Sequence, residues 1–362
     1  MKKLIPVLFA LWLQGCAQKP VSFEPVSVAE VLPYLQNEDT ELFKSKMLQN
    51  CHRILQKEKF DDRGLFGRSD QWQQLCSKAQ SLDDIPTFIN NHFNVLKVQS
   101  KDSLFTGYYA PFFEGSRTKT AEYSHPLLAK PTDIYTLNLT DLGLEGKQPS
   151  KFMVRVDSKS KTIQRYYTRK DIHNAAAEPL VWLKSKVDAF FVSIQGSAFI
   201  KLPDGDVFHV AYAGNNGHAY RAIGRDLIQQ GYIAKDKLTM ATIYEFFDKN
   251  PDKVDEFLNK NKRYIFFAEG DGQVRGSLNV PLHANRSLAV DPKYIPLGVP
   301  VFLKTNLNYN QQSFKSWMFA EDTGAAIKGG LRGDIYFGQG FQAGQFAGAQ
   351  NASGSMYVFV PK

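Results

Sequence analysis

Trp317-Met318-Phe319-Ala320-Glu321-Asp322-Thr323-Gly324-Ala325-Ala326-Ile327-Lys328-Gly329-Gly330-Leu331-Arg332-Gly333-Asp334-Ile335-Tyr336-Phe337-Gly338 is the stretch on which the reading of this chain turns. Its apolar ends, Trp317–Ala320 and Ile335–Phe337, are short runs of the kind that form buried strands. Between them Asp322 and Asp334 stand twelve residues apart, separated by a loop with four glycines. Glycine lets backbone approach a ligand closely or adopt positive φ. An acid at a strand mouth beside such a loop is placed to meet a substrate. Taken alone, an Asp-Gly-rich turn is more often held by aspartates bonding to its own backbone.

A second acidic turn lies upstream, Ser287-Leu288-Ala289-Val290-Asp291-Pro292-Lys293-Tyr294-Ile295-Pro296-Leu297-Gly298. Asp291, Asp322 and Asp334 together resemble the three-aspartate double-psi β-barrel domain. Asp-x-Gly-x-Ala-Ile-Lys-Gly followed by Asp-Ile-Tyr-x-Gly is similar, more narrowly, to the membrane-bound lytic murein transglycosylase A family. Thr-Gly-Tyr-Tyr from Thr106, Gln-Gly-Ser from Gln195 and Tyr-Ala-Gly-x-Asn-Gly-His-x-Tyr from Tyr212 occur in the family's order. Each motif is weak by itself; the ordered set covers nearly the whole mature chain. Two departures stand out. Thr323 replaces a small or aliphatic residue, and extra loop residues surround Leu331-Arg332.

The resemblance implies a mainly β fold with a helical N-terminal segment: a double-psi β-barrel domain, an inserted second β-barrel domain, and a groove between them. The expected divisions are a signal peptide at 1–15, a linker at 16–24 and a helical N-terminal part of the first domain at 25–105. The insert follows at 106–262, and 263–362 completes the first domain with the catalytic acid. Periodicity alone gives only a β-rich chain of two lobes. Apolar residues at helical spacing predict two helices over 28–57, then helices over 69–79 and 85–96. Strands with intervening loops are expected over 104–208, interrupted by a helical patch from Tyr166 to about Leu183. Helices are expected again over 222–230 and 239–262, and β structure from Tyr264 to the C terminus.

The chemistry implied by the resemblance rests on one acid. A glycosidic oxygen must be protonated as its bond breaks, and a shielded carboxylic acid does this. In the family the aspartate of Asp-Ile-Tyr is that acid, here Asp334. The C6 hydroxyl of N-acetylmuramic acid then closes on its own anomeric carbon, giving a 1,6-anhydro end on peptidoglycan. Asp322 and Asp291 are supporting or orienting candidates. Thr106, Tyr108, Tyr109, Gln195, Ser197, Asn216, His218, Tyr220 and Lys328 are the substrate-binding candidates, with aromatic faces for pyranose packing and polar groups for hydroxyl and acetamido partners. For each of these singly, turn or core packing is the plainer account.

Met1-Lys2-Lys3 followed by Leu4–Leu13 is a charged n-region and an apolar core too short to span a bilayer. It ends in Leu13-Gln14-Gly15-Cys16, which resembles a bacterial lipobox, so Cys16 is the expected lipidation site. The expected location is the outer membrane, facing the periplasm. Expected partners are peptidoglycan strands, the membrane through the lipid, and murein synthases or scaffold proteins. A formal charge of +8 suits an anionic polymer, yet no Lys/Arg cluster marks a nucleic-acid binder. Seven histidines without a Cys/His cluster give no metal site, and no cofactor is expected. Cys51 and Cys76 read either as a disulfide or as two buried thiols. Two other functions remain open: a wall-binding protein without catalysis, and an aspartic peptidase using the single Asp322-Thr323-Gly324 triplet.

Overall fold

The computed structural model describes residues 21–57, 60–61, 64–144, 146 and 150–362. The expected signal peptide and Cys16 lie outside the described residues. The chain opens with strand β1 (Ser22–Val26), helices α1 (Thr40–Leu55), α2 (Ser69–Lys78) and α3 (Ile85–His92), and strands β2 (Phe93–Gln99) and β3 (Leu104–Ala110). Next come β4 (Phe112–Ser116), β5 (His125–Leu128), β6 (Tyr135–Asn138), β7 (Lys151–Asp157), β8 (Thr162–Arg165) and β9 (Pro179–Leu183). Helix α4 (Lys186–Gln195) leads to β10 (Ala198–Lys201), β11 (Val207–Asn215), α5 (Ile223–Gln229), α6 (Met240–Lys249), α7 (Val254–Lys260) and β12 (Ile265–Glu269). The C-terminal part holds β13 (Ser287–Val290), β14 (Pro300–Leu307), β15 (Gln312–Asp322), β16 (Arg332–Gln339), α8 (Gly340–Ala349), β17 (Asn351–Ala352) and β18 (Gly354–Pro361).

These strands make a mainly β, two-domain molecule with some helices. A nine-stranded sheet runs β1-β2-β18-β14-β15-β13-β16-β3-β17, a six-stranded sheet β12-β11-β10-β4-β9-β5, and a small sheet β6-β7-β8. A parallel bridge between Ala129 and Phe267 joins the two edges of the six-stranded sheet, so that sheet curls round to meet itself. In the large sheet β2 lies between β1 and the C-terminal β18, pairing Leu96 with Val358 and Val95 with Phe359. One apolar core accordingly draws on residues 31–109 and 288–360, with Phe43, Trp72, Phe93, Trp317 and Phe359 at its centre. The six-stranded sheet has a core of its own around Leu183, Ile200 and Phe267, and a helical layer packs Phe191, Leu227, Phe247 and Phe257 together. The chain stays in the large sheet to Ala110 and in the six-stranded sheet to Glu269, a few residues past the divisions expected at 105/106 and 262/263.

Several local expectations are corrected. The expected linker ends early, because Ser22–Glu24 already pairs with Lys97–Gln99. The first helix expected within 28–57 is two 3₁₀ turns, Val28–Glu30 and Leu32–Tyr34. Pro33 supplies no backbone donor to a longer helix there. Asp39 then caps α1 by accepting from the Leu42 N–H. The helix expected over 85–96 stops at His92, where Phe93 and Val95 turn inward on β2 and gain two neighbouring strands. The patch expected over 166–183 is one 3₁₀ turn, Ile172–Asn174, followed by β9. Conversely Phe190–Ile194, read among strands, lies in α4, and α8 interrupts the C-terminal β structure. Cys51 of α1 and Cys76 of α2 are joined as a disulfide.

Candidate active site

Asp322, Ala289, Asp334 and Thr106 stand in one row across four adjacent strands of the large sheet. Ala289 of β13 pairs with Asp322 of β15 on one side and Asp334 of β16 on the other. Asp334 in turn pairs with Thr106 of β3. Residues in register across a sheet project from the same face. Two strand spacings separate the aspartates, so their Cα atoms are roughly 10 Å apart. The sheet pairing, rather than the twelve-residue loop, is what brings them to one site.

The two aspartates of the row form part of the floor of a cleft of about 630 Å³ between the two domains. Asp322, Asp334 and Tyr336 line it from the large sheet, with the loop Val274–Asn279. From the insert come Arg169, the end of α4 through Ser197, Tyr220 and Arg263. That loop runs tight against β15: a Cβ on Gly276 would lie 2.4 Å from the Glu321 carbonyl oxygen, so only glycine fits. Leu278 donates its N–H to the same carbonyl. The contact delivers Ser277 to Asp322.

The two carboxyl groups are placed differently. Asp322 Oδ1 accepts from the Ser277 N–H, the Ser277 hydroxyl and the Thr323 N–H, each at 2.8 Å. Its Oδ2 accepts from the Tyr108 hydroxyl at 2.9 Å. Burial pushes the Asp322 carboxyl above its ordinary value, and these four bonds pull against that rise. Three of them converge on Oδ1 and one reaches Oδ2, so most of the roughly four acceptor positions of the carboxylate are taken. Among the described residues Asp334 receives one side-chain bond, from the Thr106 hydroxyl to Oδ1 at 2.5 Å. Burial raises its carboxyl to about 6, and the nearby Asp322 adds to the rise. The Thr106 bond and the Arg332 guanidinium oppose it. Arg332 reaches Thr106 Oγ1 at 2.8 Å, which ties acid, hydroxyl and cation into one cluster. Asp334 can therefore keep a proton close to neutral pH and give it up, whereas Asp322 is committed to holding Ser277 and Tyr108 in place.

The other expected residues divide into two groups. Tyr108, Tyr109, Gln195, Ser197 and Tyr220 line the cleft with the two aspartates. Of these, Ser197 is turned inward: its hydroxyl bonds to His209 Nε2 and donates to the Val210 carbonyl. Thr106 stands behind Asp334. Asn216, His218, Lys328 and Asp291 are not among the lining residues. Asn216 is fully buried; its amide donates to the carbonyls of Tyr167 and Lys262, and its Oδ1 accepts from the Tyr264 N–H. His218 Nε2 bonds the Tyr166 carbonyl, and Lys328 is exposed. Asp291, also buried, accepts from the N–H groups of Lys293 and Gly329, so it anchors the glycine loop from beneath. Arg169, Arg263, Ser277, Arg332 and Tyr336 were not expected at the site. Of these, Arg332 and Tyr336 carried a signal: each stands two residues from Asp334 on one strand and shares its face.

Comparison with known proteins agrees with this two-part layout. The family described as "MltA specific insert domain" matches residues 104–268, and the "3D domain" family matches 286–360. Membrane-bound lytic murein transglycosylase A of Escherichia coli (strain K12) is 32% identical over 262 residues, which is 70% of this chain and 64% of that protein. The match thus spans a little under two thirds of that relative. A crystal structure of membrane-bound lytic murein transglycosylase from Agrobacterium tumefaciens superposes with a TM-score of 0.83 at 29% identity, covering 94% of this chain and 98% of the other. The lytic transglycosylase LtgG of Burkholderia pseudomallei is 31% identical, with a TM-score of 0.55 over 94% of this chain and 95% of its own.

Proposed function

This chain belongs to the MltA family, and from that premise we propose that it is a lytic transglycosylase cutting the β-1,4 bond between N-acetylmuramic acid and N-acetylglucosamine in peptidoglycan. The observation that carries this reading is the unequal pair on the cleft floor. A hydrolase working with two carboxylates needs the second one free, as base or nucleophile. Asp322 already accepts four hydrogen bonds, which leaves Asp334 as the one proton carrier. Its proton passes to the glycosidic oxygen as the C1–O bond breaks. The C6 hydroxyl of the same muramic acid residue bonds to C1, and its proton returns to Asp334. The product is a 1,6-anhydro end, and no water is consumed. Arg332 lies beside the carboxylate that exists between the two transfers.

Incubation with purified peptidoglycan tests this reading. The wild type is expected to release soluble fragments, and Asp334→Asn to lose about 100- to 10,000-fold of that rate, the usual worth of a general acid. A wild type that binds the polymer and releases nothing is a wall-binding protein instead. The same reading puts the protein on the outer membrane through a lipid at Cys16; among the described residues no helix is long and apolar enough to cross a membrane. Fatty-acid labelling that persists in Cys16→Ala would remove that anchor. Murein synthases or scaffold proteins are the partners this location suggests, and co-purification from crosslinked membranes would show whether they associate.

A further inference from the structure

Two arginines on the insert's wall of the cleft, Arg169 and Arg263, have no carboxylate partner among the described residues. Arg169 is held rigidly. Its Nε donates to the Asn261 carbonyl, and its Nη2 to the Ser193 hydroxyl and the Arg263 carbonyl. Its guanidinium also packs over the rings of Phe190 and Tyr264. Among the described residues Arg263 makes a single side-chain bond, from Nη1 to the His218 carbonyl. A half-buried guanidinium bonded only to neutral oxygens keeps its full charge and spare donors.

Asn216 and His218 explain how the pair is built. Asn216 ties the Tyr167 carbonyl to that of Lys262 and accepts from Tyr264, so it clamps together the two segments that carry Arg169 and Arg263. Arg169 completes the clamp with its own N–H to the Lys262 carbonyl. The Asn-Gly-His motif therefore serves as a frame for two cations facing the cleft. The carboxyl groups in the lining are Asp322 and Asp334, the first already accepting four hydrogen bonds and the second shielded; the third arginine of the lining, Arg275, is paired with Asp271. A carboxylate answers both the charge and the forked donors of such a pair, whereas a neutral glycan answers the donors alone.

Resting on the peptidoglycan reading, we infer that Arg169 and Arg263 form a carboxylate subsite, which selects glycan strands bearing acidic substituents on the sugar over neutral strands of the same length. The shared chemistry is a carboxylate. It comes either from a free lactyl group on a strand without peptide or from the peptide stem where one is attached.

Binding to the Asp334→Asn protein, which cannot turn the ligands over, tests the subsite. Three probes of equal length are compared: a neutral N-acetylglucosamine oligomer, a strand with free lactyl carboxylates, and a strand with peptide stems. At least one acidic probe is expected to bind about tenfold more tightly than the neutral one at low salt, with the gap narrowing as salt screens it. Adding Arg263→Gln is expected to remove most of that gap while leaving the neutral probe within about twofold; Arg263→Lys, which keeps the charge, restores part of it. The preferred acidic probe identifies the source of the carboxylate. Equal affinity for all three probes overturns the inference, as does an equal loss for all three on Arg263→Gln, the mark of a merely structural arginine. A wild type that makes no anhydro product would sink the lytic reading, yet the preference for acidic probes would still be measured.

Discussion

Burying a carboxyl group destabilises a fold unless the group sheds its charge, and Asp334 sits in that position. Its folded-state value is raised to about 6, so its favourable contribution is fully present below the unfolded value of about 4 and is lost as pH rises through 6. Asp334→Asn removes the charge. It is expected to be more stable than the wild type by about 2–3 kcal/mol above pH 6 or so, with the gap closing below about pH 4. Denaturant unfolding at the two pH values measures this; a less stable variant at both would make Asp334 structural. Arg332 opposes the rise. Arg332→Gln should therefore lift the Asp334 value and carry the alkaline limb of the pH–rate profile upward, and an unmoved limb would free Asp334 from Arg332. Asp322, Asp334 and Tyr108 were legible because they stand in motifs. Ser277, Arg169 and Arg263 were not, since each is one residue in an unremarkable segment and reaches the cleft only through sheet pairing and loop contacts.

At the scale of elements, α1 is fastened to the site's strands through a buried ion pair. Lys46 meets Glu321 at 2.6 Å with both side chains fully buried, and also donates to the Pro281 carbonyl. Asn50 and Ser287 supply the further bonds to Glu321. Glu321 immediately precedes Asp322, and its carbonyl accepts from Leu278 of the loop that carries Ser277. Lys46→Met leaves a carboxylate buried without its cation and should cost about 3–5 kcal/mol. Lys46→Met with Glu321→Gln should recover much of that in chemical unfolding; a single variant as stable as the wild type would show that the pair is not needed. The helices that sequence reading missed failed for definable reasons. In α4 the run Phe190–Ile194 looked like a strand, though Ser185 caps the Asp188 N–H and Gly196 closes the helix at φ 81°. In α8 the glycines argue against a helix, but Gly344 is required by packing, since a Cβ there would meet the Tyr109 ring at 2.8 Å. Local caps settle the first case, and tertiary contact outweighs local propensity in the second.

At the scale of the whole molecule, the insert and the large sheet have separate apolar cores, and only the large sheet needs both ends of the chain. Residues 111–270 expressed alone are expected to fold, with dispersed amide resonances, whereas a chain lacking 21–99 should not, because β18 loses its partner β2. A molten insert would mean that the two domains fold only together. The family resemblance implied this discontinuity, whereas periodicity alone gave only two lobes. The exact residue at which the chain crosses was not legible, because β3 runs into β4 with only Pro111 between them. The cleft between the domains gives the site its two walls, acid on one side and cations on the other. The central claim is that Asp334 works alone there, and the ends of the glycan fragments released by the wild type test it most directly. Mass spectrometry is expected to find 1,6-anhydro-N-acetylmuramic acid ends, lighter than hydrolysed ends by the mass of one water; reducing muramic acid ends in their place would mean that a second group activates water, and the single-acid account would be wrong.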